Sequence, residues 1–273
     1  MLPNAHLDPV WLWDWCEGLN EGLATVATVL DLMDERPELT FMRGEAAIYR
    51  HIEENAPELF ARIQSYIAAG RWDVVGGVWV QPETNLSSTA TLRRHFEVVG
   101  RYFESRFGTR PRIAWAADSF GHSAGLPEIL ANSHMEGFAF SRPFKNELEL
   151  SGDAFWWQSA SGKRVLAFRI TEDYYGSERQ NIVAKLDSNL RRMKQSEAGD
   201  YASFFGLGNH DGGPIRRHLA DIAAWQEAHP EVEARFSTLH RFFEALQQNG
   251  AELPTFEGEL NGCGESQIRF PEG

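Results

Sequence analysis

The chain has 273 residues, enough to bury one large core or at most two small ones. Hydrophobic residues make up 42% of it and charged residues 24%, an ordinary globular balance without repeats or low-complexity segments, which argues against disorder. A formal net charge of −13 argues against a polyanionic partner such as nucleic acid, and no apolar run approaches membrane length.

In chain order, Leu19, Leu23, Val26, Leu30 and Met33 form a helical stripe that stops before Pro37. A short strand is predicted over Thr40 to Arg43. Ile48 and Ile52, then Leu59, Ile63 and Ile67, give two further helices, with Pro57 suited to open the second and Gly70 to end it. Trp72 to Val80 is rich in Val and Trp and is interrupted by Gly76 and Gly77, so it reads as a buried strand leaving into a functional loop. Leu92, Phe96, Val99 and Phe103 mark a helix. The apolar run Ile113 to Ala116 then delivers Asp118 at the carboxyl end of a strand, where α/β folds place chemistry.

Beyond it come a helix around Leu126 to Leu130, strands near Phe138 to Phe140, Ala154 to Gln158 and Val165 to Ile170, and a helix near Ile182 to Met193. Ser203 to Leu207 reads as another buried strand that ends in a Gly-rich loop, ahead of a helix starting near Pro214 and a last one over Leu239 to Leu246. Strands alternating with helices predict one α/β domain with a mostly parallel sheet; periodicity alone does not choose between an open sheet and a closed barrel.

Two segments carry the candidate chemistry: His6-Leu7-Asp8-Pro9-Val10-Trp11, and Ala117-Asp118-Ser119-Phe120-Gly121-His122-Ser123. A His and an Asp two residues apart on an extended segment face the same side and can reach one cation. Asp118 could close the set, and one imidazole with two carboxylates suits a borderline ion such as zinc, with positions left open for substrate. The bland readings are a turn cap for Asp8 or Asp118 and a hydrogen-bonded core role for His6. His122 is expected to support the loop. The two cysteines, Cys16 and Cys263, form no CxxC pair, so neither a disulfide framework nor a thiolate zinc site is indicated. Too few residues precede His6 for a secretory apolar segment, and a cytoplasmic location is the expectation.

The two segments, with Trp11 three residues after Asp8, resemble glycoside hydrolase family 38, the α-mannosidases. The stretch Trp72 to Val80 followed by Glu83 and Asn85, then Phe155-Trp156-Trp157, then Gly206-Leu207-Gly208-Asn209-His210-Asp211-Gly212-Gly213-Pro214, fall in the order and spacing of that family's catalytic domain. The resemblance runs over roughly residues 4 to 262. It implies a seven-stranded (β/α) barrel of the glycoside hydrolase/deacetylase type over residues 1–262, with an incomplete first strand, and the start of a C-terminal region over 263–273. It also implies a retaining α-mannosidase with one zinc per chain, bound by His6, Asp8 and Asp118. Asp118 would be the nucleophile that forms a covalent glycosyl-enzyme, and the zinc would hold the sugar's 2- and 3-hydroxyls.

On the same resemblance Trp11 would stack on the sugar ring, packing being the other reading of an aromatic at this place. His210 and Asp211 would line the substrate, a metal contact or a loop-stabilising role being the other readings of His210; many bacterial members of the family carry Asn-His-Gly-Gly-Gly-Pro here, and Asp211 replaces the first of those glycines. Asp173, beside Glu172 and just after a strand, is the candidate acid/base. The expected partner is an α-mannoside oligosaccharide, with a homo-oligomer formed through further domains. One departure stands out: the family's histidine after Gly-Glu-Leu is missing, because Gly258-Glu259-Leu260-Asn261 runs into Gly262-Cys263-Gly264-Glu265. Two other functions therefore stand beside the first: an inactive carbohydrate-binding fragment, and a metal-dependent sugar deacetylase on a related barrel, where the metal activates water.

Overall fold

A computed structural model describes residues 1–170, 175–177, 179–195, 201–207, 212–248 and 252–262, with the side chain of residue 195 left aside. The chain opens with strand β1 (Leu2–Pro3), and Asp14 then caps helix α1 (Trp15–Glu35) by accepting the amide hydrogens of Cys16 and Glu17. Val26, Leu30 and Met33 of the predicted stripe are fully buried, while Leu19 and Leu23 lie at its edge. Strand β2 (Phe41–Arg43), helices α2 (Ala46–Asn55) and α3 (Pro57–Ala68), and strand β3 (Trp72–Val74) follow; Pro57 opens α3 as expected. β3 is shorter than the predicted stretch to Val80. Gly76 and Gly77 take φ of 85° and 73°, a left-handed path that lifts the chain out of the strand.

Helix α4 (Thr89–Phe107) starts on the Ser88 hydroxyl, which accepts the Thr91 amide hydrogen, and ends on Gly108 at φ 66°. Strand β4 (Ile113–Ala116) leads through the Asp118 loop to the two-residue strand β5 (Gly121–His122), then helix α5 (Leu126–Asn132) and strand β6 (Gly137–Phe140). Strands β7 (Ala154–Gln158) and β8 (Arg164–Arg169), helix α6 (Ile182–Gln195), strand β9 (Phe204–Phe205), helices α7 (Arg216–Ala228) and α8 (Leu239–Gln248), and strands β10 (Thr255–Glu257) and β11 (Leu260–Asn261) complete the described chain.

The expected α/β alternation with parallel pairing is present. β9 pairs with β1, β2 with β3, and β4 with β6 and β6 with β8, all parallel. A parallel bridge between Asn4 and Met42 joins β1 to β2, and the Gly76 amide donates to the Ile113 carbonyl at 2.9 Å beyond the end of β3. β7 departs from the pattern by running antiparallel to β8, and β10 adds to its outer edge. Among the described residues the strands form separate ladders, not one continuous ring, within an α/β architecture.

One face of the parallel strands buries Leu2, Met42, Ile113, Trp115, Ala139, Leu166, Phe168 and Phe204 together. The opposite face of β2 and β3, through Phe41, Trp72 and Val74, packs against α1 to α4. With both faces covered, the strands read as short apolar runs instead of alternating ones. Among the described residues no helix is long and apolar enough to cross a membrane.

Candidate metal centre

The predicted ligands converge because β1 and β4, separated by two strands in the parallel order, bring their carboxyl ends toward one point. Past β1 the backbone stays extended, with the Asn4 amide hydrogen donated to the Phe205 carbonyl at 2.9 Å. His6 and Asp8 therefore fall on one side, while Leu7 between them is buried in the helical layer. The Trp13 indole donates to the Asp8 carbonyl at 2.9 Å and folds the following loop back over this turn. On the other side, the Ala117 amide donates to the Gln81 side-chain oxygen at 3.0 Å, and the Ser119 hydroxyl donates to the Pro82 carbonyl at 3.3 Å. The loop after β3 thus braces the residues flanking Asp118.

His6 Nε2 lies 3.4 Å from Asp8 Oδ1 and 3.8 Å from Asp118 Oδ2. One donor atom from each of the three residues falls within 4.8 Å of the others, and among the described residues these three make up the cluster. The imidazole is only 3% exposed, yet Nε2 makes no hydrogen bond of acceptable geometry and simply faces the carboxylates. Burial works to lower the His6 pKa, but Asp8, Glu45 and Asp118 together outweigh it and the net shift is upward. Burial is also the leading cause at Asp118, where it raises the carboxyl; Arg142 and His6 pull it back and Asp8 pushes it up, leaving it above its usual value. A buried imidazole nitrogen aimed at two carboxylates is a donor set that a borderline divalent cation fits, and the cation would relieve both repulsion and desolvation.

Arg142, just past β6, forms an ion pair with Asp118 Oδ1 and donates to the Asp118 carbonyl at 3.0 Å. Its guanidinium also lies 4.5 Å from the Phe120 ring centroid. Asp118 is thereby shared: one oxygen belongs to the guanidinium and the other faces His6.

His122 is fully buried against Phe138 at 4.9 Å and Phe140 at 5.7 Å, and its Nδ1 lies 3.0 Å from the Thr84 hydroxyl. Burial pushes its pKa down to about 3, with the Arg142 backbone acting weakly the other way. It is neutral, is packed into the loop, and is not one of the three residues of the cluster.

Trp11 is 54% exposed at the rim, its ring meeting Trp13 edge-on at 5.4 Å, and Val10, Leu12 and Trp15 are exposed beside it. Glu172, Asp173, His210 and Asp211 lie outside the described residues. The Gly258-Glu259-Leu260 segment runs close to the site: Leu260 and Asn261 pair with His122 and Gly121, and the Asn85 amide donates to the Asn261 side-chain oxygen at 2.9 Å. Sequence reasoning missed Arg142, Glu45 and Tyr175. Each follows the carboxyl end of a parallel strand, or the loop after one, so the strand-end rule applied to every strand would have flagged all three.

A family model for the glycosyl hydrolases family 38 N-terminal domain matches residues 1–259 of the chain. Alpha-mannosidase 2C1 of Homo sapiens is 28% identical over 258 residues, covering 94% of this chain and 25% of that protein. Alpha-mannosidase G of Dictyostelium discoideum is likewise 28% identical over 258 residues, covering 94% of this chain and 24% of its own length. The crystal structure of an alpha-mannosidase from Enterococcus faecalis V583 superposes with a TM-score of 0.81 at 19% identity, over 95% of this chain and 30% of that one. The chain thus spans about a quarter of the length of the curated relatives it matches.

Proposed function

Because the chain belongs to glycosyl hydrolase family 38, we propose that it carries the catalytic machinery of a retaining α-mannosidase that removes terminal α-mannosyl residues from oligosaccharides. The observation that supports this reading best is the buried His6 Nε2, which faces the carboxylates of Asp8 and Asp118 at the ends of β1 and the β4 loop. We read the parallel strands β9, β1, β2, β3, β4, β6 and β8 as the seven staves of a barrel over residues 1–262, with β7, β10 and β11 as additions. Residues 263–273 would begin a following region.

His6, Asp8 and Asp118 would hold one zinc ion per chain. When bound, the metal would supply a Lewis-acidic template for the vicinal 2- and 3-hydroxyls of the sugar. Asp118 attacks the anomeric carbon as the leaving oxygen takes a proton, and a water later cleaves the glycosyl ester and restores the carboxylate. Arg142, on Asp118 Oδ1, holds that carboxylate in orientation and keeps it from taking up a proton in its desolvated site. We assign the acid/base role to Asp173 and substrate contacts to His210 and Asp211. The exposed Trp11 ring would meet the apolar face of the sugar.

The test compares the wild-type chain with Asp118→Ala on an aryl α-mannoside, with and without a chelator, alongside the metal content of the purified chain. Aryl-alcohol release that disappears on mutation and on chelation, with about one metal ion bound per chain, is the expected result. Acetate release from an acetylated sugar without aryl-alcohol release would replace this reading with the deacetylase. Sugar binding without turnover would leave an inactive binding fragment.

A further inference from the structure

A ligand imidazole must be held at a fixed angle, because its ring torsion is otherwise soft. Proteins usually achieve this with a hydrogen bond to the nitrogen that does not bind the metal. Among the described residues no hydrogen bond of good geometry reaches either nitrogen of His6. What does touch the ring is Tyr175, whose aromatic face meets it edge-on at 4.9 Å with an interplanar angle of 61°. Tyr175 is itself fully buried, so neither ring has room to swing.

The short segment carrying Tyr175 is tied down from three directions. The Asn4 side-chain amide donates to the Tyr175 carbonyl at 2.9 Å and also reaches the Phe205 carbonyl at 3.3 Å and the Leu2 carbonyl at 3.4 Å. The Lys185 ammonium, 1% exposed, donates to the Gly176 carbonyl at 2.8 Å. The Ser177 amide donates to the Gly206 carbonyl at 2.7 Å. A buried lysine and a buried asparagine committed to main-chain carbonyls are costly features, and here they anchor the main chain that carries the Tyr175 ring.

We propose that Tyr175 is a positioning residue for His6: its ring sets the angle at which Nε2 is offered to the site, and Asn4 and Lys185 hold Tyr175 there. The inference rests on the metal-binding reading above and adds to it the reason the imidazole is oriented without a hydrogen-bonded partner. Asn4 lies two residues before His6 on the same extended segment, so one short stretch of chain carries both the ligand and the clamp for the residue that orients it.

The test is a cobalt(II) titration of the full chain, read by the visible absorption of the bound ion, with melting in chelator measured separately. Tyr175→Phe keeps the ring and should hold the affinity within about threefold and leave the absorption band in place. Tyr175→Leu should weaken binding by about 10- to 100-fold and move the band. Asn4→Asp, of the same shape but unable to donate to the three carbonyls, should weaken it in the same direction and serves as the second probe if the Leu variant does not fold. A purely structural role would lower the melting temperature and leave the band and isotherm unchanged, which would overturn the inference. So would a Phe variant as impaired as the Leu one, since the effect would then belong to the hydroxyl. Failure of the folded wild-type chain to take up cobalt would overturn the metal reading and this inference with it, whereas normal wild-type uptake with unchanged variants would sink the inference alone.

Discussion

Arg142→Gln removes the cation from Asp118 while leaving a side chain of similar reach. Both members of the pair are 20% exposed, so the interaction is largely shielded from water. Breaking a fully buried pair costs about 3–5 kcal/mol, and a charge-assisted hydrogen bond about 1.5–3 kcal/mol. Asp118 keeps some solvent and can take a proton, which limits the loss to about 2–3 kcal/mol. For a chain of this size that is a drop in melting temperature of roughly 4–10 °C, measured in chelator so that no cation compensates.

The sign of its pH dependence follows from Asp118, whose folded pKa already stands above the usual carboxyl value of 3.8 because burial outweighs Arg142 and His6. Without Arg142 it rises further. A carboxyl with a raised folded pKa destabilises the fold at pH values above that pKa and ceases to do so as pH falls toward the unfolded value. The difference between wild type and variant should therefore be full at pH 7.5 and shrink by at least half near pH 4. In an Asp118→Asn background the same Arg142→Gln change should cost less, about 1–2 kcal/mol, because only the guanidinium's bond to the 118 carbonyl remains to be lost. Equal losses at both pH values, or in both backgrounds, would refute the assignment of Arg142 to the Asp118 carboxylate.

Two further outcomes follow from the surroundings of the site. The folded pKa of His122 is about 3 against an ordinary 6.5, so stability present above the unfolded value is lost as pH falls through the window between the two. His122→Leu, with Thr84 still donating to the Gly121 carbonyl, should abolish up to about 2–3 kcal/mol of that acid sensitivity at pH 4.5; parallel slopes of melting temperature against pH for both proteins would disprove it. Gly206 sits at φ 149°, and an added Cβ would run into the Asn4 carbonyl. Gly206→Ala should cost about 2–4 kcal/mol in chemical denaturation and also weaken cobalt binding, because the strand that must yield carries His6 two residues on. A stability loss with an unchanged cobalt isotherm would show that β1 and its ligands move independently.

The parts of this molecule legible in its sequence are those decided locally. A helix that buries one stripe announces itself by spacing, and α3 even carries its start signal in Pro57. Short parallel strands buried on both faces appear as apolar runs, so β4 and the position of Asp118 behind it could be read directly. Where the reading overshot, at β3, two glycines at positive φ had already turned the chain away, a choice that propensity for Val and Trp does not register. The pairing of β5 with β11 was invisible because two residues have no periodicity.

Arg142, Glu45 and Tyr175 were invisible for a different reason. Nothing in Ser141-Arg142-Pro143 or in the sequence around Tyr175 distinguishes these residues from loop residues elsewhere. Their roles arise only when neighbouring strands bring their carboxyl ends to one place. His6 and Asp8 share one extended segment past β1 and so leave a trace in spacing, whereas the residues that tune and orient them follow other strands and leave none in spacing. A motif search therefore recovers the donors of such a centre and omits the groups that set their charge and angle. The corrective is to take each parallel strand to its end, as the position of Arg142 two residues past Phe140, the last residue of β6, with its guanidinium on Asp118, demonstrates.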